Sequence, residues 1–440
     1  HRASHPGVER LVRPAFVDTP QPRVEPEAEY TPEGAPHASW AFIDALTVEQ
    51  LLDSTSQSRE LIPQEQWQLQ ADCHAIFRRA QASDHEHTRD LGYKLQWLFG
   101  TSVLTGVSRG GKTGNKALRR RFTMFLEGRW SELWDARLRP EERGLGSKSR
   151  QELNAARALR LYREGRVGDA MRALTRGDQA PSSLETLQAL EKLHPERATP
   201  LLIPECQDPL ELDLDTFHRT VSGLKAHTMP GRDGIRNEHL KTEMALGDTD
   251  AMDEAMSKVV AGRLPPTAAE LESVGSLIAL LKPNGSIRPI GAGSAWRRCA
   301  GASIMSQVND QATHYFQSPS AAQFAVGTKS GVEAQVHLTR AIAQAHPEWV
   351  CIPADQVNAF NSLDRQAILD QLATTFPQLL PFVLQYYAKP GHLVMQLDAP
   401  LPTDCVLPRG WRLLEGSDMV AILPSEEGCT QGDPMGTFLY

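Results

Sequence analysis

Two apolar runs that meet at Asn284-Gly285 constrain this chain more than any other feature. Leu277-Ile-Ala-Leu-Leu281 leads into Lys282-Pro-Asn-Gly-Ser286, and Ile287-Arg-Pro-Ile290 follows. An Asn-Gly pair between apolar runs favours a tight turn, because both residues tolerate positive φ. The spacing predicts an antiparallel hairpin with Lys282 and Arg288 on opposing arms near its tip. Two cations fixed in this way can grip a triphosphate. Equally, they can keep an exposed hairpin soluble. From about residue 206 onward, short apolar runs alternate with helices and Gly/Pro turns, which predicts a mixed α/β domain. No internal repeat occurs at solenoid periods.

Upstream the texture differs. Residues 1–37 carry seven prolines and several acids. Such a segment cannot bury a core and is expected to be a disordered lead-in. Residues 38–205 read as helical. Ala155, Leu159 and Tyr162 share one helix face, and Val167, Ala170, Met171 and Leu174 share another. Gly165 between them suits a C-cap. Ser183 with Glu185 opens a further short helix. Residues 101–170 hold 16 Lys and Arg against 8 Asp and Glu, a +8 window inside a chain of net charge −8.

Composition excludes several classes. Of 440 residues, 40% are apolar and 23% charged, which is ordinary globular usage. The longest apolar runs, such as 276–281, fall far short of the roughly 20 residues of a membrane helix. The six cysteines, Cys73, Cys206, Cys299, Cys351, Cys405 and Cys429, are scattered with no CxxC. That argues against a disulfide scaffold or zinc cluster and suits a reducing compartment, nucleus or cytoplasm. The chain begins with His1 and stops at Tyr440 inside what reads as an unfinished motif. It is therefore expected to be a piece of a longer protein.

Three further stretches could carry chemistry. Gly106-Val-Ser-Arg-Gly-Gly-Lys112-Thr113 fits the phosphate-cradling pattern GxxxxGK[ST], and Thr101–Thr105 could be the strand before it. Gly114 and Asn115, both poor helix formers, stand where the following helix should already run. The alternative is a flexible basic loop before a helix at 117–126. Lys112, Lys116, Arg119, Arg120 and Arg121 would then suit a phosphate backbone or form a solvated face. Trp349-Val-Cys-Ile-Pro-Ala-Asp355 reads as an apolar strand ending in a carboxylate, a common way to present a metal ligand. Asn361 or Ser362 is expected to cap a helix at 363–376, with Asp364 structural in its first turn. Glu427-Gly-Cys-Thr-Gln431-Gly432-Asp-Pro434 marks a loop where backbone approaches something closely.

Taken in order, these pieces resemble the reverse transcriptase domain of non-LTR retrotransposons. Pro230-Gly-Arg-Asp-Gly-Ile235 is similar to the family's opening block. Leu280–Ile290, with Arg297-Arg298 after it, is similar to the fingers block. Asp355-Gln-Val-Asn-Ala-Phe-Asn361 looks like the first catalytic box, and Gln431-Gly-Asp-Pro434 like the substrate box that follows. The resemblance covers about residues 206–440. It implies an α+β fold, with the fingers and part of the palm of a right-hand polymerase behind an all-α N-terminal region. It also implies an RNA template, a DNA primer and deoxynucleoside triphosphates as partners. Asp355 would bind catalytic Mg2+. Lys282 and Arg288 would hold the triphosphate. The ring of Phe360 and the backbone of Ala359 would read the sugar, and Gln431 and Gly432 would line the nucleotide and template pocket. The family's second acidic box is a Tyr/Phe-x-Asp-Asp hairpin, and no Asp-Asp pair occurs in this sequence. Pro353 stands where the family usually has an aliphatic residue. The chain alone is therefore expected to be inactive. Two other readings are a nucleic-acid-binding remnant of a retroelement and a P-loop NTPase that uses Gly106–Thr113.

Overall fold

The hydrophobic positions of the helical region converge on an aromatic core that continues into the downstream half of the chain. The computed structural model describes residues 37–53, 58, 62–105, 111–137, 150–163, 165–175, 179–318, 323–402 and 404–440. The expected lead-in at 1–37 lies outside them apart from residue 37. Helix Trp67–Ala82 packs on helix Glu86–Leu98 and on helix Thr249–Val260. Phe77, Phe99, Phe122 and Phe125 are buried together beneath them. The same core continues through Val259, Trp296 and Leu372, so residues on both sides of position 206 share one interior.

Residues 101–105 do not form the expected strand. Residues 99–103 instead extend the preceding helix as a π-helical turn, Phe99–Val103. Two local features explain this. The Thr101 hydroxyl donates to the Trp97 carbonyl at 2.7 Å, and Arg121 donates to the carbonyls of Ser102 and Thr105 at 2.6 Å each, so backbone acceptors are satisfied without a sheet. Gly100 also lies against the backbone of the Pro230–Ile235 block, where a Cβ would stand 1.8 Å from the Asp233 carbonyl oxygen. Glycine is required by that close approach.

Helix Gly111–Leu126 begins earlier than expected and includes Gly114 and Asn115. Gly114, Leu118, Phe122 and Phe125 form its buried stripe, and the Asn115 carbonyl accepts from Gln66 Nε2 at 2.9 Å. Tertiary packing here overrides weak propensity. The phosphate-loop reading loses its strand, and residues 106–110 lie outside the described residues. Further on, helices Arg150–Arg163 and Val167–Thr175 form the expected hairpin. Gly165 turns it with φ +75°, its N–H bonded to the Tyr162 carbonyl and that of Arg166 to the Leu161 carbonyl, both at 2.9 Å. Helix Leu184–Glu191 also forms where Ser183 and Glu185 placed it.

The sheet has five strands: β1 Gly275–Leu281, β2 Ile287–Ala292, β3 Gly391–Gln396, β4 Arg412–Leu413 and β5 Val420–Ser425. Their order is β2-β1-β3-β5-β4. The Asn284-Gly285 hairpin forms as read, pairing Leu281 with Ile287 and Leu280 with Arg288. β1 runs parallel to β3, and the other pairs are antiparallel. Side chains alternate between faces. Leu393, Met395, Ala421 and Leu423 meet Leu187, Leu190 and Trp411 on one face, while Val394, Val420 and Ile422 join the main core on the other.

The strand expected at 349–355 is absent. The segment has no regular secondary structure and pairs with no strand, with Val350 and Ile352 each 83% exposed, and helix Gly331–Ala345 before it buries no residue. A strand is stabilised by its neighbours rather than by its own backbone, and Pro353 removes one ladder donor. Among the described residues, no helix is long and apolar enough to cross a membrane.

Candidate nucleotide site

Three blocks that are distant in sequence close on one another at Gly291. The Gly291 N–H donates to the Gln431 carbonyl at 3.0 Å, which joins β2 to the Gln431–Pro434 loop. Gly432 takes φ +119°, and a Cβ there would lie 2.8 Å from the Gly291 oxygen. On the loop's other side, Cys429 N–H donates to the Phe360 carbonyl and Gly428 N–H to the Leu363 carbonyl, both at 2.8 Å. Gly428, at φ +64°, has no room for a side chain against Phe360 and Asn361. The result is a small crevice lined by His194, Pro289, Asn361, Thr430 and Gln431, floored by Leu277 and Leu393 of the sheet.

The residues singled out in the sequence fall into four groups. Ala359 and Phe360 lie on a short helix, Ala359–Ser362, directly beside the Gly428–Gly432 loop. The Phe360 ring is half-buried, 5.4 Å from that of Tyr440 and against Gly436. Lys282 and Arg288 are exposed at the hairpin tip. By strand rise, Arg288 stands about 10 Å along β2 from Gly291. Asp355 is exposed on the unpaired segment, five residues before Phe360, and Tyr440 anchors the next residue by donating from its hydroxyl to Gln356 at 2.9 Å. No group of three or more His, Cys, Asp and Glu that could hold a metal occurs among the described residues. One exposed carboxylate does not supply the donor set of a two-metal centre. Far from this crevice in sequence, Lys112, Lys116, Arg119 and Arg120 stand on the exposed side of helix Gly111–Leu126, whereas Arg121 turns inward to the carbonyls already described.

Asp364 is structural, though it caps its helix rather than sitting inside it. Its carboxylate accepts from the N–H of Gln366 and Ala367, and the helix runs Arg365–Thr375. Two buried arginines that brace the site carried no local signal for such a role. Arg365 fans across the carbonyls of Tyr387, Ser425, Glu427 and Gly428. Arg297 pairs with Asp433 at 2.6 Å and lies over the Tyr386 ring, and the Tyr387 hydroxyl donates to the same carboxylate at 2.7 Å. Burial alone would lower the Arg297 pKa, but the Asp433 charge keeps it above the ordinary arginine value. His194, which lines the crevice, was also missed. Its Nδ1 lies 2.8 Å from the Leu190 carbonyl, so Nδ1 carries the proton and Nε2 accepts from Asn361 Nδ2 at 3.3 Å. Burial pushes its pKa down and thereby favours the neutral ring.

No protein-family model matches the chain. Over 183 residues it is 31% identical to the retrotransposable element SLACS 132 kDa protein of Trypanosoma brucei gambiense. That match takes in 38% of this chain and 14% of the other, so it spans a small part of the relative's length. The similarity supports a retroelement origin.

Proposed function

We propose that the chain is a fragment of an RNA-directed DNA polymerase of a non-LTR retroelement, comprising fingers and part of the palm behind a basic helical region. One observation carries the reading. Pro289 on β2, Asn361 in the turn after Phe360 and Gln431 in the glycine-rich loop, far apart in sequence, line a single small crevice. In that reading Lys282 and Arg288 reach the triphosphate of an incoming deoxynucleotide. Gln431 and Gly432 border base and template. Phe360, with the Ala359 backbone, lies under the sugar, where a ring collides with a 2′-hydroxyl. Asp355 is this chain's contribution to Mg2+, and a further carboxylate would come from outside this sequence. The exposed cations Lys112, Lys116, Arg119 and Arg120 suit the phosphates of the RNA template and DNA primer.

Three experiments test the reading. The chain itself, given primer, template and magnesium, should not extend the primer; extension would overturn its assignment as an inactive fragment. In a longer polypeptide that carries the second acidic box, Asp355→Asn should cut extension by at least ~10³-fold, the scale of losing a main electrostatic stabiliser. Separately, the chain should bind dATP more tightly than ATP, and Phe360→Ala should bring the two affinities together. One clash removed is worth roughly 1–3 kcal/mol, or about ten- to a hundredfold in that ratio. An unchanged ratio removes Phe360 from the sugar site.

A further inference from the structure

We propose that His194 is a positioning residue of the nucleotide crevice, delivered by a strap, residues 193–202, that crosses both walls of the site. The proposal rests on the polymerase reading for the identity of the ligand. It rests on geometry for the strap.

The strap follows helix Leu184–Glu191 and lies outside the four blocks that carry the resemblance. Besides an ion pair of Glu196 with Arg409, it meets the walls of the site in three places. At its start, Asn358 Nδ2 donates to the Leu193 carbonyl at 2.6 Å, and Asn361 Nδ2 donates to His194. In its middle, the Arg197 N–H donates to Glu426 Oε2 at 2.9 Å, and the Arg197 guanidinium lies 3.5 Å from Glu427. Glu427 in turn accepts from the Arg365 N–H at 2.9 Å. At its end, Leu202 and Gln366 exchange two hydrogen bonds, at 2.8 and 2.9 Å. The strap therefore grips residues 358–366 on one wall and residues 426–427 on the other.

Two features make the grip matter at Phe360. Asn358 has φ +57°, a left-handed backbone that asparagine tolerates but does not prefer. Its carbonyl accepts the N–H groups of Asn361 and Ser362, each at 3.2 Å. The turn that presents Phe360 is thus held by one strained residue, and the strap bonds that residue and Asn361 from outside. The imidazole is suited to the position. With Nδ1 committed to the Leu190 carbonyl, Nε2 is a fixed acceptor aimed at Asn361.

The test combines hydrogen exchange with nucleotide affinity in the chain as it stands. In His194→Ala, the amides of residues 360–362 should exchange about tenfold faster, the scale of one lost hydrogen bond, while strands β1, β3 and β5 keep their protection. The ratio of dATP to ATP affinity should fall towards one. His194→Gln, whose side-chain carbonyl can accept from Asn361, should restore both. Unchanged exchange in His194→Ala overturns the imidazole's hold on the turn and with it the positioning role. Faster exchange with an unchanged affinity ratio overturns the positioning role and leaves a structural contact. If the wild-type chain binds no dATP while His194→Ala still speeds exchange, the polymerase reading fails and the strap stands.

Discussion

Glu243→Gln should lower the stability of the chain by about 3–5 kcal/mol, the scale of breaking a buried ion pair by removing one charge. Glu243 is buried and meets Arg78 Nε at 2.7 Å and His74 Nδ1 at 2.7 Å. Arg78 lies 3.5 Å over the Trp296 ring and donates to Gln81 and Gln96. Glutamine has nearly the same shape, so its effect is that of leaving the Arg78 cation uncompensated in the core. The pH dependence gives an independent check. Burial by itself would raise the Glu243 carboxyl; the charge of Arg78, then that of His74, overcomes it and brings the pKa down to about 2. A depressed folded-state value means the contribution is fully present above pH 4.5 and is lost as pH falls towards about 2. Denaturation midpoints of the wild-type chain should therefore drop steeply through that window. Those of Glu243→Gln should start lower and fall less. Parallel curves would remove Glu243 from the acid limb.

The alkaline limb comes from a second buried group nearby. Asp233 is pushed up to about 8, first by burial and then by the charge of Glu272. Gln96 Nε2 sits 3.3 Å from each carboxylate. A raised carboxyl has the opposite sign. Its stability is present below its ordinary value of 3.8 and declines as pH rises to about 8. The two windows meet near pH 4, so these two groups together place the stability maximum there.

Arg365→Ala should cost about 4 kcal/mol or more, and it should do so at the candidate site. The guanidinium is buried and donates to four carbonyls and the Ser425 hydroxyl. Each acceptor left without a partner in the interior costs about 1–3 kcal/mol. Burial pulls the Arg365 pKa down to about 10, a sign of how far the group is withdrawn from water. Loss of this fan unties helix Arg365–Thr375 from β5 and from the loop that leads to Gln431. Urea midpoints should fall with an unchanged slope. A change under 1 kcal/mol would mean that water replaces the guanidinium and that the loop is braced elsewhere.

The legible parts of this fold were those with a local cause. Asn284-Gly285 set its own hairpin, and Gly165 set the turn between two amphipathic helices. The misread parts were decided by residues far away. Thr101–Thr105 looked β-prone, yet Asp233, over a hundred positions on, presses against Gly100 and the chain stays coiled. Trp349–Asp355 looked like a strand because its residues favour one, but pairing needs a neighbour. The same division holds at the site. Phe360, Gln431 and Gly432 could be singled out because they stand in short ordered blocks. His194, Arg365 and Asp433 act through partners that local spacing cannot connect. His194 and Asn361 are 167 positions apart, and Arg297 and Asp433 are 136 apart.

The unpaired segment bears on handling the protein. Trp349, Val350, Ile352 and Val357 face water in a run that carries few charges, next to a helix whose Val332, Val336, Leu338 and Ile342 are also exposed. Beyond Trp349, whose N–H donates to the His346 carbonyl at 3.0 Å, the stretch combines a backbone that pairs with no strand and exposed apolar side chains, the combination that drives edge-to-edge association. Pro353 interrupts it and acts as a gatekeeper against continuous stacking. At high concentration the first contact between copies should therefore form at residues 349–352, on the near side of that proline.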